Sequence, residues 1–169
     1  MRKAILTAVA LILLAGSFLA GYAARDRQGK APEGSGDPGD HDAVQAIQTR
    51  WVREAEPPAP TVTIGGKPIE VKRGGFSWCT PSGAGQTSCR MTDAAVPKPE
   101  PVPVAGGALI ETKAPEGIKE FTLTNTTGSG QEDPYVVPME KGVYLYRIHC
   151  EWFLDQGYAD FYFVVEVGG

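Results

Sequence analysis

Two segments near the C-terminus alternate between apolar and polar side chains, and this alternation constrains the fold more than any other feature. One face of the first segment, 143–153, carries Tyr144, Tyr146, Ile148, Cys150 and Trp152. One face of the second, 158–167, carries Phe161, Phe163, Val165 and Val167. A period of two is typical of a strand buried on one side, because successive side chains point to opposite faces. Turn-forming residues at 155–157 lie between the segments, so we predict an antiparallel hairpin with one face in the core.

The chain from residue 60 onwards also has the pattern of short strands. Alternating residues on both sides of Gly65-Gly66, which can adopt the positive φ angles of a tight turn, predict a hairpin over 61–72. Further strands are expected at 76–79, 108–112 and 118–124. A proline at every second position of 97–103 excludes a central strand and favours an extended crossover. Together these signals predict an all-β fold, an immunoglobulin-like antiparallel β-sandwich of seven to eight strands.

The N-terminus has the pattern of an export signal. Arg2 and Lys3 precede uncharged residues at 4–24, as in a secretory signal peptide or an uncleaved signal anchor. The rest of the chain is then extracytoplasmic, either secreted or anchored, and residues 4–24 are its only contact with a membrane. The predicted order is a signal or anchor at 1–24, a disordered linker at 25–42, a short amphipathic helix at 43–56 and a β-sandwich domain at 60–169.

The segment 43–56 has apolar residues at helical spacing. Val44, Ile47 and Trp51 share a face, and the prolines from residue 57 onwards end the helix. A helix of about 12–14 residues is marginal alone in water, so it needs a surface to lie against. Two interpretations are open: the helix packs on its own domain, or Trp51 and Val52 dock onto a partner or a membrane interface.

The chain has three cysteines. Turn-forming residues separate Cys79 from Cys89, so the two side chains can meet across a hairpin, and outside the cytosol we expect a disulfide. The alternatives are a reduced pair or a metal or redox site, although the spacing is not that of a CxxC motif. Cys150 lies on the aromatic face of its strand and is expected to be a small buried hydrophobe. A mixed disulfide, a dimer bridge and a metal thiolate are the alternatives for Cys150.

His149, Cys150 and Glu151 place three potential metal ligands in a row. Neighbours on a strand point to opposite faces, so His149 and Cys150 do not readily share one ion. The segment 142–150 resembles the C-terminal copper strand of cupredoxins, where a histidine, often with a methionine, follows the cysteine. Neither follows Cys150 here, so the ligand set of a blue-copper centre is incomplete. We therefore predict no cofactor and no metal site, and the alternative is a cupredoxin-like metal-binding or redox protein that uses Cys150 and His149.

Charge and motif content exclude several classes of function. The net charge is -4, whereas a protein that binds nucleic acid needs a basic face to neutralise phosphates. The sequence contains no Gly-x-Ser-x-Gly, no His-Glu-x-x-His and no glycine-rich loop of the kind that cradles phosphate. We therefore predict no nucleic-acid partner and no enzymatic activity.

Two stretches carry a resemblance to known proteins. The first runs Thr-Val-Thr-Ile-Gly-Gly-Lys-Pro-Ile-Glu-Val over 61–71 and leads to Gly-Phe-Ser-Trp-Cys at 75–79. The second comprises 138–144 and the final strand at 158–167. They resemble a loose group of exported, often lipid-anchored, immunoglobulin-like β-sandwich proteins of Gram-positive-type bacteria that has no settled function. The resemblance implies a fold and a location but carries over no site residues, and Tyr22 stands where lipid-anchored members have the lipobox cysteine.

The function expected from these features is non-catalytic binding or protein interaction at the cell envelope. Loops at one end of such a sandwich carry recognition, so we expect a binding surface at the turn 154–158 and in the loop 79–89. The candidate binding residues are Trp78, Trp152, Asp155 and Tyr158. The expected partner is another envelope protein or a cell-surface ligand, and nothing in the sequence specifies an oligomeric state.

Overall fold

The computed structural model describes residues 38–83, 85–127 and 133–168, and it describes side-chain burial from residue 42 onwards. The predicted signal or anchor at 1–24 and the predicted linker up to residue 37 lie outside these residues. The chain divides into Met1–Asp40 and His41–Gly169, and of the first unit only the start of one helix is described. No helix in the described ranges is long and apolar enough to cross a membrane.

Strands make up most of the described residues, as the alternation predicted. In chain order the elements are α1 (Pro38–Gln48), β1 (Thr61–Ile64), β2 (Lys67–Ile69), β3 (Lys72–Gly83), β4 (Gln86–Thr92), β5 (Val102–Val104), β6 (Ile110–Lys113), β7 (Ile118–Asn125), β8 (Gly142–Trp152) and β9 (Gly157–Val167). A 3₁₀ turn at Phe153–Asp155 follows β8. β4 and β5 are additions to the strands expected from the sequence.

The strands form two sheets. The small sheet has the order β2-β1-β6, and the large sheet has the order β4-β3-β9-β8-β7, with β5 placed beside β9. Neighbouring strands are antiparallel except β5, which runs parallel to β9 with Pro103 opposite Glu166. Among the described strands only β9 pairs with β5. β5 is therefore at an edge, where a strand can contain a proline. The fold is therefore mostly β with antiparallel sheets.

The inner faces of both sheets contribute to one hydrophobic cluster. The predicted apolar faces of β8 and β9 form its centre, with Tyr146, Ile148, Cys150, Trp152, Phe161, Phe163 and Val165 fully buried. The small sheet adds Val62, Ile64, Ile69 and Ile110. Burial of this apolar surface is the main stabilising contribution to such a fold.

The helix lies earlier in the chain than predicted, at Pro38–Gln48 instead of 43–56. Proline is favoured in the first turn of a helix, because its missing N–H has no helical partner there. After the helix, the backbone of Val52 and Glu54 bonds to side chains of the large sheet, which holds this stretch out of a helix. Val52, which lies beyond the end of the helix, packs against the core, while Val44 and Ile47 on the helix stay exposed.

Candidate functional site

The β8–β9 turn has an unusual backbone. Leu154 and Asp155 are consecutive residues with positive φ angles of 58° and 53°, a conformation that side chains with a Cβ rarely adopt. Gly157, which starts β9, packs so closely on β3 that a Cβ would lie 2.0 Å from the carbonyl oxygen of Ser77. Strained backbone of this kind persists only where the surroundings fix it, and it concentrates at functional sites.

Gln156 holds this turn against the rest of the domain. Its side chain is 1% exposed, accepts a hydrogen bond from the N–H of Val52 at 2.9 Å and donates one to the Val52 carbonyl at 2.7 Å. Its amide nitrogen also lies 3.4 Å from the carbonyl oxygen of Cys79. Gln156 was not predicted as a site residue, because a glutamine between Asp155 and Gly157 has the composition of an ordinary exposed turn.

Large apolar side chains project from the turn. Phe153 is 57% exposed, and Leu154 and Tyr158 are also exposed. Trp51 is half-buried, and its indole N–H donates to the carbonyl oxygen of Leu154 at 3.0 Å. We call Trp51, Phe153, Leu154, Asp155 and Tyr158 the hairpin-tip surface. Exposed apolar side chains grouped on one surface are a common feature of interaction sites.

A depression of about 350 Å³ adjoins the hairpin-tip surface. It is lined by Ser77, His149, Glu151, Asp155, Gly157 and Tyr158. The Nδ1 atom of His149 lies 2.9 Å from a carboxylate oxygen of Asp160. Asp160 is directly opposite His149 in the β8–β9 pair. Ser77 and His149 both line the depression, and the structure records no hydrogen bond between them.

The charges around the depression are mainly acidic. Glu151, Asp155 and Asp160 lie on or next to its walls. Lys119 bonds to Glu151 at 2.5 Å, and that contact raises the pKa of the lysine above its ordinary value. The ring of Tyr158 lies 6.1 Å from that of His149. The site therefore combines aromatic and apolar side chains with carboxylates.

The four candidate binding residues lie in two different places. Asp155 and Tyr158 belong to the hairpin-tip surface, whereas Trp78 and Trp152 are core residues at 1% and 0% exposure. The two indoles pack edge to face with ring centroids 4.9 Å apart. Their N–H groups bond to backbone carbonyls of the same domain. These tryptophans present no surface to a ligand, so the binding hypothesis rests on Asp155 and Tyr158.

The predicted disulfide is confirmed. Cys79 and Cys89 are directly opposite each other in β3 and β4, and their sulfur atoms are bonded. The segment between them, expected to be a loop, is the end of the β3–β4 hairpin. Because β3 pairs with the start of β9, this hairpin and the β8–β9 turn lie at the same end of the large sheet.

Cys150 and His149 point to opposite sides of β8. Cys150 is fully buried in the core, and burial, with a contribution from the charge of Asp160, raises the pKa of its thiol to about 12. His149 lies on the outer face, where it contacts Asp160. In the described ranges no three His, Cys, Asp or Glu residues are grouped to hold a metal ion. The geometry does not bring together the two ligands of the cupredoxin-like alternative.

Thiol counting tests both cysteine assignments. We expect no reactive thiol in the native protein and one after denaturation, because Cys79 and Cys89 are bonded and Cys150 is buried as a protonated thiol. Reduction of the disulfide should lower the free energy of unfolding by about 2–3 kcal/mol, the contribution expected of a short loop. Native alkylation of one cysteine, confirmed by intact mass, would contradict the buried position of Cys150.

No protein-family model matches this chain, and no curated protein or solved structure matches it significantly.

Proposed function

We propose that this chain is an extracytoplasmic, non-catalytic binding module with an immunoglobulin-like β-sandwich, whose hairpin-tip surface docks another envelope protein or a cell-surface ligand. The observation that carries the proposal is the turn itself. Buried Gln156 and two positive φ angles hold Phe153 and Leu154 in solvent, where their exposure adds nothing to folding. Rigid presentation of apolar side chains reduces the entropy lost on binding.

Two further features support the fold and the location in this proposal. The two sheets share one hydrophobic cluster, which is the arrangement of a sandwich core. The Cys79–Cys89 disulfide favours an oxidising compartment, in agreement with the export pattern at 1–24. The resemblance to exported immunoglobulin-like proteins points the same way.

The composition of the site indicates the chemistry of the partner. Phe153, Leu154 and Tyr158 supply apolar and aromatic contact area, while Asp155 supplies a carboxylate beside it. An interface core prefers aromatic anchors, and complementary charges at its rim set specificity and the rate of association. The hairpin-tip surface therefore fits a partner with apolar side chains flanked by lysine or arginine.

In-cell photo-crosslinking tests the proposal. A photoreactive phenylalanine analogue at Phe153 of the full chain, expressed in a Gram-positive host, should form a covalent adduct with one envelope component. The same analogue at Met139 is the matched control, because Met139 is 76% exposed but precedes the opposite end of β8. Asp155→Lys should reduce the Phe153 adduct about tenfold, as for an interface contact of ~1.4 kcal/mol.

Two outcomes would overturn the proposal. Equal adducts from Phe153 and Met139, or none from Phe153, would show that the hairpin-tip surface does not bind. A cell-impermeant amine reagent should also label the chain in intact cells, and labelling only after lysis would contradict the extracytoplasmic location. The two measurements separate the location from the site.

A further inference from the structure

β4 is an edge strand whose residues are all exposed, with single side-chain contacts from Gln48 to Thr87 and from Glu56 to Arg90 among the described residues. It is the outermost strand of the large sheet, pairs with β3 alone among the described strands, and has all seven residues exposed. Edge strands are usually protected against pairing by proline, lysine, bulges or a covering element. β4 contains neither proline nor lysine, and Arg90 is its only charged residue. An exposed edge of this kind is a template for another strand.

The hydrogen bonds of Cys79 show which groups of β4 point outward. The N–H of Cys79 donates to the carbonyl of Gln156 at 2.9 Å, and its carbonyl oxygen lies 3.4 Å from the Gln156 side-chain amide. Cys79 thus directs both backbone groups towards β9, and it forms a non-hydrogen-bonded pair with Cys89. The N–H and carbonyl of Cys89 must then point away from β3.

The same alternation applies two residues on either side of Cys89. Thr87 lies opposite Pro81, which has no N–H to donate, and Met91 lies opposite Ser77. Thr87, Cys89 and Met91 therefore present three donors and three acceptors along the free edge. The disulfide fixes the β3–β4 register, so these groups are held in line before any partner arrives.

The helix α1 contacts the β3–β4 hairpin, but its hydrogen bonds do not involve the outward backbone groups of β4. The side-chain amide of Gln48 donates to the carbonyl of Gln86 at 3.1 Å and to the hydroxyl of Thr87 at 2.7 Å. Neither acceptor is one of the outward backbone groups of Thr87, Cys89 and Met91. Within the part of the chain that the structure describes, the recorded hydrogen bonds of α1 thus leave these three outward N–H and carbonyl pairs unoccupied.

We propose that β4 pairs antiparallel with β4 of a second copy of this chain, about a two-fold axis at Cys89. Thr87 then faces Met91 of the other copy, Ser88 faces Arg90, and the two Cys89 residues face each other. In this register all seven residues of β4 are paired. Thr87, Cys89 and Met91 each donate one backbone hydrogen bond to the other copy and accept one from it. An isologous contact of this type closes as a dimer, which favours a second copy over a chain that would extend the sheet indefinitely.

The neighbouring registers are less favourable. An axis at Arg90 places the two arginines directly opposite each other, and like charges in that position are destabilising. An axis at Ser88 pairs Met91 with Gly85, a residue in the β3–β4 turn with a φ of 74°. The pairing does not use the hairpin-tip surface, so it stands independently of the proposed function.

Hydrogen exchange of single amides tests the pairing directly. For the full chain, we expect the amides of Thr87, Cys89 and Met91 to slow at least about tenfold between low micromolar and near-millimolar protein, because only the dimer bonds them. The amides of Ser88 and Arg90 bond to β3 and should be slow at both concentrations. Fast exchange of the three outward amides at every concentration would overturn the proposal, and so would protection that does not depend on concentration.

Two substitutions at one position separate the backbone from the side chain. Met91→Pro removes an outward N–H without breaking the β3–β4 ladder, whereas Met91→Ala keeps that N–H and removes the exposed side chain. In sedimentation equilibrium of the full chain in density-matched detergent, wild type and Met91→Ala should dimerise and Met91→Pro should stay monomeric. Equal sedimentation of Met91→Pro and wild type would contradict the pairing. Asp155→Lys should dimerise like wild type, so failure at the tip and failure at the edge are distinguishable.

Discussion

Gly157→Ala should lower the free energy of unfolding by more than about 3 kcal/mol or prevent folding, which places it among the most damaging single substitutions. The added Cβ would lie 2.0 Å from the carbonyl oxygen of Ser77. That oxygen belongs to the backbone of β3, so the contact can be relieved only by separating β3 from β9. Urea unfolding followed by tryptophan fluorescence measures the effect.

Gly66→Ala is the matched control for this substitution. Gly66 has a φ of 77°, but a Cβ there meets no atom within 4 Å. Its cost is therefore limited to the backbone conformation, about 1 kcal/mol. Similar losses for the two substitutions would show that the close approach to Ser77 is not what requires glycine at position 157.

Gln156→Met should lower the free energy of unfolding by about 3 kcal/mol, because it keeps most of the side-chain volume but leaves two part-buried backbone groups without these partners. The N–H and carbonyl of Val52 both lose their bond to the side chain. Urea unfolding gives the magnitude, and faster exchange of the Val52 amide locates the loss.

Gln45→Met provides the comparison for Gln156→Met. Gln45 is exposed on α1, so the same chemical change should alter stability by less than about 0.5 kcal/mol. Gln156→Glu should also be destabilising, since a carboxylate accepts from the N–H of Val52 but cannot donate to its carbonyl. Wild-type stability in Gln156→Met would mean that the buried amide does not hold the turn.

The alternation of apolar residues predicted the strands that form the core, but it could not predict β4 or β5. β8 and β9 are buried on one face, so their sequences carry a period of two. β4 is exposed throughout and has no such period, while β5 is a three-residue strand with a proline at its centre. Strands that bury few side chains show little hydrophobic pattern in their sequence, and their pairing depends on residues distant in the chain.

The site was predictable in part, for a similar reason. Asp155 and Tyr158 stand in a turn between two clear strands, and turns at the end of a sheet are accessible by construction. The role of Gln156 depends on Val52, a residue 104 positions away, and no local pattern encodes such a contact. Trp78 and Trp152 were ambiguous because a tryptophan suits both a core and a binding surface.

The attachment of the N-terminal segment makes the tip of the hairpin sensitive to tension. Three residues that precede β1 in the chain hydrogen-bond to the large sheet or its turn. Trp51 bonds to Leu154, Val52 to Gln156 and Glu54 to Trp78. A pull on the chain from its N-terminal side loads these bonds before it loads any β-ladder. After the Gln48 contacts with β4, the turn that carries Phe153 and Leu154 would be the next part of the sheet to bear the load, so mechanical load and ligand occupancy at the tip would act on the same few hydrogen bonds.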